Sequence, residues 1–296
     1  MQRADNPRLR KMLAASLALA VAAGVTGMAH ADALRDKWCS KVHLRFFVGG
    51  AEGDAFGTIV YNGARQAAAD TGAQVDYVFS GWANEKMTQQ LREAVAAHPD
   101  GIAMMGHPGE AAIVPLAQEA DKAGIKMMYQ NVPVPAAVAK VGGGYVGAQQ
   151  GPQGHALGVE IVRRFGLKAG DLAIVILASN DKIRAEREEG TAKAIVYPGG
   201  QLLGNAAVYM KAAGKKPGEV INIGFDTSPQ IVQGFKDGWV QLTADQQPFQ
   251  QGYMPILSLC QTIVYGLAPV NVDTGAGFVT PENYKGVADL ATEGLR

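Results

Sequence analysis

The sequence predicts an α/β protein with two parallel-sheet domains, and three observations support that fold class. Apolar segments of strand length, rich in branched and aromatic residues, alternate with amphipathic segments of helical spacing. Strands that are apolar throughout are typical of a parallel sheet whose two faces are both covered by helices. The alternation starts again near residue 145, which indicates a second domain built in the same way.

The first domain is predicted from four strands and the helices between them. The predicted strands are residues 42–50, 73–80, 101–106 and 126–131. The intervening helices carry apolar residues three or four positions apart, as Phe56, Ile59 and Val60 show in the first of them. Each crossover between parallel strands should be right-handed.

The second domain repeats this order but contains one break. Its predicted strands are residues 172–179, 195–197, 219–226 and 240–245, and its predicted helices include 184–193, 201–214 and 229–236. The helix over 184–193 runs into the strand over 195–197 without a turn. Because such connections take about 2–6 residues, either this helix is shorter or a segment is absent.

Residues 1–31 have the pattern of a secretory signal peptide. A basic start, with Arg8, Arg10 and Lys11, precedes an apolar run that ends before Ala29-His30-Ala31. A membrane span needs about 20 apolar residues, and this run is shorter. An uncleaved membrane anchor is the alternative interpretation. We expect cleavage after Ala31 and a periplasmic location.

Charge and composition exclude one class of partner. The leader holds four of the 27 basic residues and one of the 27 acidic residues, so the mature chain carries a net charge of −3. A chain without a basic stripe is not expected to bind nucleic acid. The full sequence has 48% apolar and 18% charged residues, which is typical of a globular protein with a full core.

The chain has two cysteines, Cys39 and Cys260. In an oxidising compartment they could form a disulfide. Cys260 also lies on the apolar face of a predicted helix with Ile256 and Leu257, so a buried free thiol is the alternative. No metal site is expected, because two distant cysteines and five histidines show no ligand spacing.

Four segments, taken in order, resemble the ribose-binding-protein family of type I periplasmic binding proteins, from about residue 42 to the C terminus. They are the first strand and helix with Phe56 and Gly63-Ala64, the run Arg187-Glu188-Glu189-Gly190, the strand end Gly224-Phe225-Asp226, and Gly238 followed by Thr243 and Gln246. The resemblance implies two doubly wound domains joined by three hinge strands. It places the first domain at residues 32–147 plus 247–275 and the second at 148–246 plus 276–296. Both cysteines then belong to the first domain.

The resemblance also implies that the second domain is shortened by one βα unit. Family members carry a further strand and helix between the Arg187 helix and the strand that ends at Tyr197. We expect this loss from the middle of the sheet to destabilise or rearrange the second domain, because proteins are stable by only about 5–15 kcal/mol.

A sugar-binding site needs hydrogen-bonding groups for hydroxyls and aromatic rings for the apolar faces of the ring. The resemblance carries over five ligand contacts: Asp54, Phe56, Arg187, Asp226 and Gln246. Other interpretations stay open. Asp54 and Asp226 could cap helices, Phe56 could belong to the core, and Arg187 could lie on a solvated helix face.

Four further side chains are candidate ligand contacts. Trp82 could be a stacking platform or a surface residue, and Arg184 could share or replace the role of Arg187. His107 could donate to a hydroxyl or could simply occupy a Pro-Gly turn. Asn131 and Val132 stand where ribose-type members have Asp and Arg. Pro198-Gly199-Gly200 replaces an Asn-Asp pair of those members. The identity of the sugar is therefore left open.

These features predict the substrate-binding component of an ABC importer, a monomer without cofactor that hands a small sugar to a membrane permease by hinge closure. A sensory protein that presents its ligand to a membrane receptor is the alternative. An enzyme with a nucleotide cofactor is less favoured. Its phosphate loop would be Gly49-Gly50 with Gly53, which is not G-x-G-x-x-G, and Asp54 would repel a pyrophosphate.

Overall fold

The computed structural model of the chain describes residues 37–175, 192–275 and 277–296. The predicted signal peptide over 1–31 and the two candidate contacts Arg184 and Arg187 lie outside these residues. Among the described helices, none has both the length and the apolar character that crossing a membrane requires.

The first sheet contains six parallel strands. They are β1 (His43–Phe47), β2 (Gln74–Val78), β3 (Gly101–Met105), β4 (Lys126–Gln130), β5 (Tyr145–Gly147) and β10 (Val272–Asp273). Their order across the sheet is β10-β5-β4-β3-β1-β2. The four predicted strands of the first domain are all present, and the residues of β3 are buried throughout, as expected for a covered sheet.

Five helices cover the first sheet. They are α1 (Ala55–Thr71), α2 (Asn84–Ala96), α3 (Glu110–Lys122), α4 (Pro135–Val141) and α9 (Pro248–Tyr265). Helices α1 and α9 approach closely where Gly63 and Gly252 leave room. A Cβ atom on Gly63 would overlap the Phe249 carbonyl oxygen, and one on Gly252 would overlap that of Val60.

The core of the first domain is one continuous cluster of buried side chains that includes Phe46, Met104 and Tyr129. Cys39 and Cys260 belong to this cluster and form a disulfide, with Cα atoms 5.7 Å apart. The bond joins the segment that precedes β1 to helix α9, near the opposite end of the chain.

The second sheet contains five strands. They are β6 (Leu172–Val175), β7 (Ala192–Val196), β8 (Ile221–Phe225), β9 (Leu242–Asp245) and β11 (Gly277–Val279). Their order is β11-β9-β8-β7-β6, and only the β11–β9 pair is antiparallel. The described helices of this domain are α5 (Gln150–Phe165), α6 (Gly200–Gly204), α7 (Ala206–Ala212), α8 (Pro229–Lys236) and α10 (Lys285–Thr292). The predicted fold class, two parallel-sheet α/β domains, is confirmed.

Two predicted helix limits in this domain are wrong. Strand β7 already begins at Ala192, so a helix over 184–193 cannot reach Lys193, because pairing with β6 and β8 holds this segment extended. The single helix predicted over 201–214 is two helices, α6 and α7. Asn205 interrupts them by donating its side-chain amide to the Gln201 carbonyl oxygen, a local bond that competes with the helix.

The continuity of the second sheet also differs from the prediction. In the first sheet, the first strand of the chain, β1, lies between β2 and β3, and β2 is at the edge. In the second sheet, the first strand, β6, is itself the outermost of the described strands. Strand β6 pairs directly with β7, and within the described residues no strand lies beyond it. The expected loss from the middle of the sheet is therefore wrong, since the second sheet is continuous from β6 to β11 across its described strands.

Candidate functional site

Four predicted contacts of the first domain meet beyond the carboxyl ends of β1, β2 and β3. We call Asp54, Phe56, Trp82 and His107 the aromatic cluster. The Trp82 indole Nε1 donates to Asp54 Oδ2 at 3.0 Å. The ring centroid of Trp82 lies 5.9 Å from that of Phe56 and 5.2 Å from that of His107. The cluster thus combines one carboxylate with three ring faces.

Asp54 has two roles in the structure. Its Oδ1 accepts a hydrogen bond from the Gly57 backbone N–H at 2.7 Å, which caps helix α1, while Oδ2 binds Trp82. The helix-cap interpretation of Asp54 is therefore correct, and it also fixes the carboxylate beside Trp82.

Gly49 makes room for the Trp82 ring. Its φ is +91°, and a Cβ atom there would lie 2.6 Å from the indole ring. Only glycine suits this position, because a side chain would be strained in the backbone and would collide with the ring. Gly49 therefore leaves space for an aromatic ring.

His107 lies in the turn between β3 and α3 and is partly buried. Burial lowers the pKa of its imidazole to about 4, so the ring is neutral at pH 7. Its Nδ1 is buried and has no hydrogen-bond partner among the described residues. An unpaired buried nitrogen beside Trp82 is suited to a polar group of a bound molecule.

Asp226 and Gln246 form a second group, the carboxylate cluster, at the carboxyl ends of β8 and β9. Asp226 is only 3% exposed. Its Oδ1 accepts from Gln246 Nε2 at 2.9 Å, and its Oδ2 accepts from the Gly200 backbone N–H at 3.0 Å. Helix α8 is capped by Ser228 instead, whose Oγ accepts from the Ile231 N–H, so the capping interpretation of Asp226 does not hold.

The two clusters lie where the first domain contacts the second, through helices α1 and α6. The pKa of Asp226 is raised to about 7, chiefly by burial and to a smaller extent by the negative charges of Asp245 and Asp54, while the hydrogen bonds from Gly200 and Gln246 act in the opposite direction. Asp54 caps α1, and Gly200, whose N–H donates to Asp226, is the first residue of α6. Helices α1 and α6 contact each other, so the two carboxylates belong to neighbouring parts of the two domains.

Asn131 directly follows β4, is buried and has a φ of +61°. Its Nδ2 donates to Gln251 Oε1 at 3.0 Å, and its carbonyl oxygen accepts from the Tyr145 hydroxyl at 2.7 Å. The structure thus ties the Asn131 side chain to helix α9 and its main chain to β5.

Two polar residues near the cleft were missed by sequence reasoning. Gln251 is fully buried in helix α9, although a glutamine by itself gives no sign of burial. Asp245, at the end of β9, has a side chain only 2% exposed and is paired with Arg296, whose Nε donates to Asp245 Oδ2 at 2.8 Å. An acid at the end of a strand is the one signal that could have indicated Asp245.

Nothing in the described ranges resembles a metal centre, because no three His, Cys, Asp or Glu side chains there are grouped to hold an ion. The chemistry offered by the two clusters is hydrogen bonding and ring stacking.

Solved structures with the same fold include several transport proteins. A carbohydrate transporter from Acidothermus cellulolyticus 11B, in complex with myo-inositol, has a TM-score of 0.72 and 21% identity, covering 86% of this chain and 99% of that one. An ABC transporter solute-binding protein from Burkholderia graminis C4D1M, in complex with D-arabinose, has a TM-score of 0.71 and 18% identity, covering 83% and 97%. At these identities the likeness establishes the fold.

A curated relative matches over a shorter segment. The xylose/arabinose-binding protein XylF of Sulfolobus acidocaldarius is 40% identical over 65 residues, which is 20% of this chain and 15% of the relative's length. The model of the family described as periplasmic binding protein domain matches residues 46–204, which is more than half of the chain. The resemblance stated from the sequence is confirmed at this level, and the chain belongs to the periplasmic binding protein domain family.

Proposed function

We propose that this chain is the extracytoplasmic substrate-binding component of an ABC importer and binds a small sugar between its two domains. The observation that carries the proposal is the pair of clusters, one in each domain, beside the contact between α1 and α6. Rings and a carboxylate come from the first domain, and a hydrogen-bonded acid and amide come from the second. This combination suits a ring with polar hydroxyls and weakly apolar faces. The sugars bound by the structural relatives support the same substrate class.

The proposed mechanism is hinge closure without chemistry on the ligand. A sugar that contacts Asp54, Phe56 and Trp82 on one side and Asp226 and Gln246 on the other stabilises the closed form by its differential affinity. The closed surface then binds the membrane permease. His107, Asn131, Arg184 and Arg187 complete the proposed set of contacts.

The domain limits belong to the proposal as well. The first domain comprises residues 32–147 plus 247–275, and the second 148–246 plus 276–296, after cleavage behind Ala31 releases the chain into the periplasm. The three crossings between the sheets then serve as the hinge, and the protein acts as a monomer.

A thermal melt of residues 32–296 tests the proposal, alone and with myo-inositol, D-arabinose, D-xylose, D-glucose and D-galactose. A sugar at 100 times its dissociation constant adds about 2.7 kcal/mol of stability, which raises the midpoint visibly. The Trp82→Ala variant should lose that rise, whereas Glu52→Ala, an exposed residue, should keep it. A cooperative melt that no sugar displaces would contradict sugar binding.

A further inference from the structure

The chain passes between the two sheets three times, between β5 and α5, between β9 and α9, and between β10 and β11. Gln251 lies in the first turn of α9, just after the second of these crossings. It is fully buried, and both of its amide heteroatoms are hydrogen-bonded. A buried amide with complete hydrogen bonding fixes the groups around it, because any displacement leaves a buried donor or acceptor unpaired.

The Gln251 amide joins two crossings to the first domain. Its Nε2 donates to the Gln246 carbonyl oxygen at 2.9 Å, in the second crossing, and to Thr274 Oγ1 at 3.1 Å, in the third. Its Oε1 accepts from Asn131 Nδ2 at 3.0 Å, at the end of β4. One side chain therefore fixes two of the three connections.

The first crossing is reached through Asn131. The Tyr145 hydroxyl lies 2.7 Å from the Asn131 carbonyl oxygen and 3.0 Å from that of Ala148, where the chain leaves β5. The hydrogen-bonded path from Gln251 through Asn131 and Tyr145 thus ends on the first crossing. All three connections converge on one buried amide.

The path also reaches the candidate binding site. Gln251 holds the main chain of Gln246, and the Gln246 side chain donates to Asp226 Oδ1 at 2.9 Å. The orientation of the carboxylate cluster toward the first domain therefore depends on where Gln251 holds the second crossing.

We propose that Gln251 is a positioning residue of the hinge, which sets the angle between the two domains and so the distance between the aromatic and carboxylate clusters. The inference rests on the proposed function, because an angle between domains matters only where closure forms the site. Gln251 acts through Gln246, Thr274 and Asn131 and needs no contact with the ligand.

The distance between the domains in the ligand-free protein tests this proposal. Spin labels on Glu119→Cys in α3 and Lys236→Cys in α8 report that distance by pulsed electron resonance. Both native cysteines are held in the disulfide, and both labelled positions are exposed. The test variant is Gln251→Leu. The matched control is Gln250→Leu, which removes an exposed amide from the adjacent position.

The expected result is a wild-type distance distribution in the Gln250→Leu protein. In the Gln251→Leu protein the distribution should be broader and its mean displaced. A Gln251→Leu protein with native circular dichroism and the wild-type distribution would overturn the proposal. If that variant does not fold, Thr274→Val, which removes only one of the three bonds, is measured against the same two outcomes.

The measurement uses no sugar, so its failure and the failure of sugar binding are distinguishable. A displaced distribution in a protein that binds none of the sugars would leave the hinge role of Gln251 standing. An unchanged distribution in a protein that binds a sugar would reject only the role of Gln251.

Discussion

At Asp226 the backbone conformation and the environment of the carboxylate depend on each other. The residue has a φ of +71°, a region that non-glycine residues seldom adopt. Its N–H donates to the Ala244 carbonyl oxygen, and its carbonyl oxygen accepts from Thr243 Oγ1 at 2.7 Å. These bonds hold the strained backbone and direct the carboxylate toward Gly200 and Gln246. Strain held in this way is typical of functional positions.

The raised pKa of Asp226 predicts how stability depends on pH. Its folded-state pKa of about 7 lies above the ordinary 3.8, so at intermediate pH the folded protein keeps a proton that the unfolded chain releases. The free energy of unfolding should therefore fall as pH rises from about 4 to about 7, and this effect should level off above that. Urea unfolding of the wild type and of Asp226→Asn across this range checks the prediction. Equal pH dependence in the two proteins would contradict it.

The two roles of Asp54 predict a graded loss of stability. Asp54→Asn keeps an oxygen that caps α1 but offers no second acceptor to the Trp82 indole, so the melting midpoint should fall slightly. Asp54→Ala loses both bonds, and loss of a cap alone costs about 1 kcal/mol. Thermal melts of both variants, with the exposed Glu52→Ala as control, measure the order. An alanine variant as stable as the asparagine variant would show that the cap contributes nothing.

Sequence reasoning found the residues of the aromatic cluster because each follows a recognisable strand end. It could not find the partner of Asn131. Gln251 lies 120 residues away, and a glutamine in a helix normally indicates an exposed face. The orientation of the Asn131 side chain is decided by that distant amide, which no local pattern reports.

At the scale of elements, the long central strands were predictable and the short ones were not. Strands β3, β4 and β8 have five residues each, mostly apolar, and so their own composition indicates them. Strands β10 and β11 have only two and three residues. They are strands because β5 and β9 offer free edges, which is a property of the folded sheet.

The close packing of α1 on α9 predicts that Gly252 cannot be enlarged. Gly252→Ala places a Cβ atom on the Val60 carbonyl oxygen, so the two helices must separate. Overpacking costs about 1–3 kcal/mol of stability. This cost is larger than the gain in helix propensity when alanine replaces glycine, which is about 1 kcal/mol. Urea unfolding should show a lower midpoint. The control is Gly286→Ala in α10, where a Cβ atom meets no described atom within 4 Å and stability should not fall. A Gly252→Ala protein as stable as the wild type would contradict this account.

At the scale of the whole molecule, the two domains differ in the continuity of their cores. The first domain has one large cluster, which the Cys39–Cys260 disulfide crosses. The described core of the second domain is divided into three smaller clusters, centred on residues such as Tyr197, Ile223 and Met210. Its first strand, β6, also leaves Ile174 and Val175 partly exposed, at 37% and 59%. A smaller and divided core stabilises a domain less, so the second domain should open first.

This difference predicts two thermal transitions and assigns the disulfide to one of them. Cys39 and Cys260 both belong to the core of the first domain, so their bond opposes only the unfolding that separates β1 from α9. Replacing both with alanine should lower the upper transition in calorimetry, because loss of a native disulfide costs about 2–5 kcal/mol. The lower transition should keep its midpoint, since the second domain opens while the first still holds the cysteines together. Two outcomes would contradict this account: a lower transition whose midpoint falls with that of the upper one, or a single transition in both proteins. Either would mean that the domains unfold as one unit and that the divided core does not weaken the second domain.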